Sequence, residues 1–419
     1  MPPGDSDMAR RLAAVWRIEG AQVVASLASK TRDVSLAEDL AQEACAEALR
    51  AWPRDGVPDN PGAWLTAVAQ RRAIDAWRRR SALDDRYAGI AATMTDHSVH
   101  DDELIGDEVL RLLFVACHPV LSVETQCALA LKLVGGLSSE QLARLFLVPV
   151  ATMQQRVVRA KRTLSAAAVP FEVPDPSEWR SRLAGVLRVV YLIFTEGYVA
   201  TSGDQWLTRD LALEARRMAR RLATMLPREP EVHGLLALVE LQSSRFAARV
   251  APDGSPVLLD QQDRRRWDHA AIARGRASLQ RVDALGKGRG PYALQAAIAE
   301  QHAIASSVAT TDWARIVLLY EILCRVAPSP VVELNRAVAL SKAEGPATAL
   351  RLVDELAAAG ALSGSHLLPS VRGELLAQLG RADEARQELE RAASLAANAA
   401  ERSVLESKAR AQVPSPPRP

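Results

Sequence analysis

Residues 135–164 read GGLSSEQLARLFLVPVATMQQRVVRAKRTL. Ser138 and Gln141 have the spacing of a capping box, in which each side chain satisfies the other's free backbone N–H at a helix start. The short helix that follows carries Leu142, Leu145 and Phe146 on one side, and Pro149 ends it. A second helix then repeats apolar residues at Met153, Val157, Ala160 and Leu164, a buried seam by its period. Its other side holds Thr152, Gln155, Arg156 and Arg159, flanked by Gln154, Lys161 and Arg162. Thr, Gln and Arg are side chains that read base edges: Gln matches adenine, Arg guanine, and Thr the thymine methyl. On these residues alone two arrangements remain open, a DNA-reading helix-turn-helix and an ordinary helical hairpin.

Upstream, residues 64–80 read WLTAVAQRRAIDAWRRR without a Gly or Pro. At 100° per residue Arg71, Arg72, Asp75, Arg78 and Arg79 share one arc, with Ile74 and Trp77 opposite. One carboxylate cannot neutralise four guanidiniums, so a positive surplus remains that suits a phosphate backbone. The alternative is a solvated, salt-bridged helix face. The next stretch reverses sign: Asp84, Asp85, Asp96, Asp101, Asp102, Glu103, Asp107 and Glu108 stand against Arg86 alone. It has little helical periodicity and reads as an acidic connector between two basic helices. On its residues alone this connector reads as a solvated spacer.

The whole chain has 419 residues and a formal net charge of +2, which imply two or three domains and no overall polybasic character. Ala, Leu and Arg recur and aromatics are 4%, so the expected fold class is all-α. Four cysteines (Cys45, Cys117, Cys127, Cys324) form no paired motif, and the first residues lack the apolar core of a signal peptide. The most apolar run, VLRVVYLIF at 186–194, is too short for a bilayer span and contains Arg188. The expectation is a cytoplasmic protein with no membrane partner. Turn-rich AWPRDGVPDNPGAW at 51–64 separates two helical stretches, and VPFEVPDPSEW at 169–179 separates about 170 N-terminal residues from a longer C-terminal part.

That C-terminal part is helical. Segments opening at Asp312, Gly345 and Gly380 recur at about 35 residues, close to the tetratricopeptide length. Residues 181–300 are helical without a legible repeat. LLDQQDRRRWDHA brings Asp260, Asp263, Arg264, Asp268 and His269 together, and Glu196 lies near Tyr198. No nucleophile elbow, phosphate loop or zinc motif accompanies them, so no catalytic residue, cofactor or metal is expected. Cys117 in RLLFVACHPVL reads as a core cysteine.

SLAEDLAQEACAEALRAWP (35–53), NPGAWLTAVAQRRAIDAWRRR (60–80) and the segment at 137–164 together resemble an RNA polymerase sigma factor of the extracytoplasmic-function group. The further motifs FVACHPVLSVE, YLIFTEGYVA, LLDQQDRRRWD, GPYALQAAIAEQHA, TDWARIVLLY and VVELNRAVAL resemble its long subgroup, which carries a C-terminal tetratricopeptide-like extension. The resemblance implies a region 2 domain over 1–85, an acidic linker over 86–107, a region 4 helix-turn-helix domain over 108–168, a helical extension over 181–400 and a tail over 401–419. It also implies binding to core RNA polymerase, at the largest subunit's clamp helices through Asp39, Gln42 and Glu43, and at the second-largest subunit's flap. Arg71, Arg72, Arg78 and Arg79 would hold promoter phosphates near the −10 element. Thr152, Gln154, Gln155, Arg156 and Arg159 would read or flank the −35 element. Regulation in cis by the extension, with a partner or ligand of its own, is the accompanying expectation. A helix-turn-helix regulator acting without polymerase is the alternative, and a helical enzyme using the Asp260–His269 cluster is a third reading. Two departures stand out: LFLVPVAT lacks the glycine common in the family's turn, and Thr195 stands where the subgroup usually has Asn.

Overall fold

The computed structural model describes residues 3–81, 102–146, 148–175, 177–199, 205–249, 251, 257, 259–396 and 399–412. All regular elements among them are helical, and they divide into two compact units, 1–195 and 196–419.

The first unit opens with three helices, α1 (Pro3–Thr31), α2 (Val34–Asp55) and α3 (Pro61–Ser81), which pack on one another. Asp33 starts α2, its carboxylate accepting from Ser35 N and Leu36 N at 2.8 and 3.1 Å. Ala37, Leu40, Ala41, Ala44, Ala48 and Trp52 fall on one stripe of α2 and are buried. Small residues in that stripe let α1 pack closely on α2, and Val23, Val24 and Leu27 of α1 are buried. Gly56, at φ 81°, ends α2 by returning its N–H to Trp52 O at 3.0 Å. Asn60 starts α3 by accepting from Ala63 N, and Trp52 meets Trp64 edge-on with ring centroids 5.5 Å apart.

Four further helices, α4 (Asp102–Ala116), α5 (Val123–Leu133), α6 (Ser139–Leu145) and α7 (Val150–Ala166), complete the first unit's two modules. Helix α4 begins inside the acidic stretch that reads as a linker; Leu104, Ile105, Val109, Leu110, Leu112 and Leu113 supply an apolar period from that point. The Ser138–Gln141 capping box is formed, with Ser138 N donating to Gln141 Oε1 at 2.8 Å and Gln141 N to Ser138 Oγ at 3.2 Å. Met153, Val157, Ala160 and Leu164 are all buried, as the seam requires. The turn closes without glycine among its described residues: Val148 N reaches Ala143 O at 3.0 Å, and Pro149, at φ −58°, caps α7 with its carbonyl accepting from Met153 N. Cys117 is buried, which pushes its thiol well above the usual range. Helix α8 (Trp179–Val199) lays Trp179 against Phe114, ring centroids 5.3 Å apart, while Arg182 donates to Phe114 O at 3.1 Å.

The second unit contains α9 (Gln205–Met225), α10 (Pro230–Ser243), α11 (His269–Ala284) and α12 (Pro291–Ile304), then three successive helical hairpins. These are α13 (Trp313–Val326) with α14 (Pro330–Ala343), α15 (Pro346–Ala358) with α16 (Leu367–Gln378), and α17 (Ala382–Leu395) with α18 (Ala399–Ala411). One apolar cluster joins α12, α13 and α14 through Leu294, Ile316, Leu319 and Ala339. The next joins α14 to α17 through Leu334, Val353, Leu376 and Ala385, and a third ties α17 to α18. Each hairpin thus buries its apolar face on its neighbour, as in a solenoid. Gly345 (φ 102°) and Gly380 (φ 73°) stand at the two inter-hairpin turns, where a side chain would be strained.

Candidate nucleic-acid and polymerase interface

Three surfaces of the first unit hold the candidate residues. On α2, Asp39, Gln42 and Glu43 are exposed on the side away from the buried stripe. Their spacing of three and four residues places their acceptor groups within one helical turn. On α3, Arg71 is exposed and its Nε returns to Ala67 O at 3.4 Å, which lays the guanidinium along the helix. Arg72 is half-buried and reaches across to α2, donating to Glu43 at 3.2 Å and Glu47 at 2.8 Å. Helix α3 continues through Arg78 and Arg79 to Ser81, but the side chains of residues 75–81, Asp75 included, lie outside the described residues.

Arg72 therefore joins two faces that the sequence assigns to separate tasks. Glu43 belongs to the acidic face of α2 and Arg72 to the basic face of α3, and they form one surface ion pair with Glu47. Such exposed pairs contribute about 0–1 kcal/mol, so an approaching phosphate can compete with the carboxylates for the guanidinium. Glu47 is absent from the candidates read off the sequence, although it follows Glu43 by one turn on the same face.

On α7, Thr152, Gln154, Gln155 and Arg159 are exposed and Arg156 is half-buried. The guanidinium of Arg156 pairs with Glu124 at the start of α5 and lies 5.9 Å from the centre of the Phe146 ring. A groove of about 360 Å³ runs beside this face, lined by Ser122, Thr125, Thr152, Gln155, Arg156, Arg159 and Thr163. Hydroxyls, an amide and guanidiniums on an open groove are the donor set that phosphate and base-edge contacts use. Glu124, like Glu47, escapes the sequence reading, because its partner lies 32 residues away in sequence.

The residues that invite a catalytic reading are occupied structurally. Asp263 accepts from Arg265 N and pairs with the Arg265 guanidinium, which holds its carboxyl below the usual range. Asp268 caps α11 by accepting from Ala271 N at 2.9 Å, and His269 is exposed. Arg264 stacks 4.9 Å from the Trp267 ring and donates to the carbonyls of His302 and Ala305, which fixes the loop to α12. The side chains of Asp260, Glu196 and Tyr198 lie outside the described residues. The Thr195 hydroxyl returns to Leu192 O of its own helix at 3.0 Å. Among the described residues no group of three His, Cys, Asp or Glu is placed to hold a metal ion, and no helix is long and apolar enough to cross a membrane.

Comparison with known proteins agrees with this geometry. Residues 17–83 match Sigma-70 region 2, residues 111–164 match Sigma-70, region 4, and residues 182–283 match a family of unknown function, DUF6596. The chain is 45% identical over 394 residues to an uncharacterized protein of Rhizobium meliloti (strain 1021), covering 91% of this chain and 90% of that one. It is 28% identical over 174 residues to the probable ECF RNA polymerase sigma factor SigI of Mycobacterium tuberculosis (strain ATCC 25618 / H37Rv), covering 40% of this chain and 59% of that one. It is 29% identical over 147 residues to the ECF RNA polymerase sigma factor SigK of Mycobacterium ulcerans (strain Agy99), covering 34% and 78% respectively. No solved structure matches. The two sigma-70 regions fall on α1–α3 and α4–α7, the modules that carry the exposed acidic and basic faces and the polar face of α7, and the chain belongs to the extracytoplasmic-function RNA polymerase sigma factors.

Proposed function

We propose that this alternative sigma factor docks on core RNA polymerase through the exposed face of α2, holds the promoter near −10 with α3, and reads −35 with α7. Asp39 and Gln42 offer acceptors to cationic side chains of the polymerase, with Glu43 shared between that partner and Arg72. Arg71 and Arg72, continued by Arg78 and Arg79, take backbone phosphates, which position without specifying sequence. Thr152, Gln154, Gln155 and Arg159 take base edges and flanking phosphates, with Arg156 released from Glu124 on contact. The observation that carries this reading is α7: four apolar residues are buried on one side while four DNA-competent side chains stand exposed on the other. The protein has no chemistry of its own in this reading and works in the cytoplasm, where core polymerase is.

The second unit regulates the first in cis. It is larger than the DNA-binding part, and its stacked hairpins generate the extended surface that such folds use for partners. The test is run-off transcription with a chain cut after Thr195, not at Val169, because Trp179 and Arg182 pack on Phe114 and belong to the first unit. Promoter output should change by an order of magnitude in one direction. Equal output from the full and shortened chains on every promoter tested removes the regulatory role.

A further inference from the structure

In the second unit, the loop between α10 and α11 gathers cations around one buried aromatic ring. Trp267 is 3% exposed, and two guanidiniums flank its ring, Arg264 at 4.9 Å and Arg245 at 5.9 Å from the centre. Both arginines are half-buried. Arg264 directs Nη1 to the carbonyls of His302 and Ala305 at the end of α12, and Arg245 donates Nη2 to Gln242 Oε1 at 2.9 Å. These acceptors are neutral. Among the described residues no carboxylate pairs with Arg264: Asp263 is turned to Arg265, and Asp268 caps α11. Burial, and then the charge of Arg245, holds the Arg264 guanidinium below its usual range, and burial with the same two cations pulls His302 down to about 4. Two donors at the centre are left unmade. Among the described residues neither Arg264 Nη2 nor Trp267 Nε1 has a hydrogen-bond partner, and both atoms are shielded from solvent. Buried N–H groups are paired almost throughout folded proteins, and leaving one unpaired on a cation costs more than on a neutral group. An acceptor that carries negative charge meets both needs. A water molecule would meet the first and leave the two guanidiniums opposed.

We infer that Arg264, Trp267 and Arg245 form a receptor for a small oxoanion, the carboxylate or phosphate group of a diffusible ligand. Arg264 Nη2 and Trp267 Nε1 donate to its oxygens, and Arg245 supplies the second positive charge. The planar guanidinium matches the paired oxygens of these groups in a way that a point charge does not. A duplex backbone cannot reach a side chain buried as deeply as Trp267, which selects a small anion over a polymer. Arg266, exposed on the same 3-10 turn as Arg264, adds positive potential outside the site. Arg264 also fastens the loop to the end of α12, so an occupied site strengthens that fastening and stabilises the unit. The site lies wholly within the second unit and stands whether or not that unit regulates transcription.

Nuclear magnetic resonance of the nitrogen-labelled full-length protein tests this at the donor itself. The chain has eight tryptophans, and the Trp267 indole N–H resonance is the one lost in Trp267→Phe. Inorganic phosphate and acetate are titrated separately, with sodium chloride holding the ionic strength constant. The Trp267 resonance should shift saturably with at least one of them, and the melting temperature should rise over the same concentration range. Saturation by phosphate alone assigns a phosphoryl group, by acetate alone a carboxylate, and by both a site that accepts either. Trp267→Phe keeps the ring and removes the donor, so the affinity read from melting should fall about tenfold or more. Arg264→Gln should abolish the melting shift. If that variant no longer melts cooperatively because its tie to α12 is lost, Trp267→Phe still decides. A Trp267 resonance that moves with neither anion, or that drifts without saturation, overturns the site. So does an affinity left unchanged in Trp267→Phe.

Discussion

At the scale of single residues, exposure decides what each candidate can do. Gln155 and Thr152 face the groove without burial, so on the proposed reading their removal should cost base contacts and little stability. Changing either to Ala should lower initiation at a matched −35 element by about 5- to 150-fold, from about 1–3 kcal/mol per lost base contact. Promoters altered at the contacted base should lose this sensitivity, which run-off assays on promoter variants read directly. Arg159→Ala should act differently, weakening binding of the polymerase complex across sequences and reducing the salt slope by about one ion. The exposed faces were legible in the sequence because period and residue type suffice to place them. The ion pairs on them were not, since Arg72 meets Glu43 and Glu47 across 29 and 25 residues of chain. Only tertiary packing brings α2 beside α3.

At the scale of elements, capping and close approach set the local stability. The formed capping box at Ser138 predicts that Ser138→Ala costs about 1 kcal/mol, seen as a lower denaturation midpoint, with α6 and hence the seat of α7 loosened. In the second unit, a Cβ on Gly234 of α10 would come within 2.6 Å of Ala293 N on α12. Backbone cannot step aside as a flexible side chain can, so Gly234→Ala should destabilise by about 1–3 kcal/mol in a melt of the full chain. Helix α10 also explains why residues 181–300 showed no legible pattern. It is buried on every side, from Val232 and Leu235 through Val239 to Leu241, so it has no apolar stripe for a period to reveal. The three later hairpins were legible because each is amphipathic and opens at Asp312, Gly345 or near Gly380, residues suited to caps and tight turns. The end of the acidic connector belongs to α4 because Leu104, Ile105 and Val109 carry a helical period among its charges.

At the scale of the whole molecule, the two units should respond differently to acid. His302 of the second unit sits against Trp313 and near Arg245 and Arg264, and burial with those cations pulls it down to about 4 from an ordinary 6.5. The unfolded chain binds this proton between those two values and the folded chain does not. The stabilisation is thus complete above about pH 6.5 and is lost as pH falls towards 4, by up to about 3 kcal/mol. Melting between pH 7 and 4.5 should show the second unit falling faster, and His302→Gln should flatten that slope. A variant with an unchanged slope would locate the acid sensitivity elsewhere.

In the proposed function α2, α3 and α7 together direct polymerase to a promoter. The measurement that addresses it most directly is run-off transcription from the region upstream of the protein's own gene. It would use purified core polymerase, with and without the full-length chain, and with Arg71, Arg72, Arg78 and Arg79 changed to Ala. A discrete transcript should appear that requires the chain and disappears in the Ala variant, while the variant still binds core polymerase. Absence of any transcript together with absence of polymerase binding would contradict it, and would leave a DNA-binding regulator that acts without polymerase.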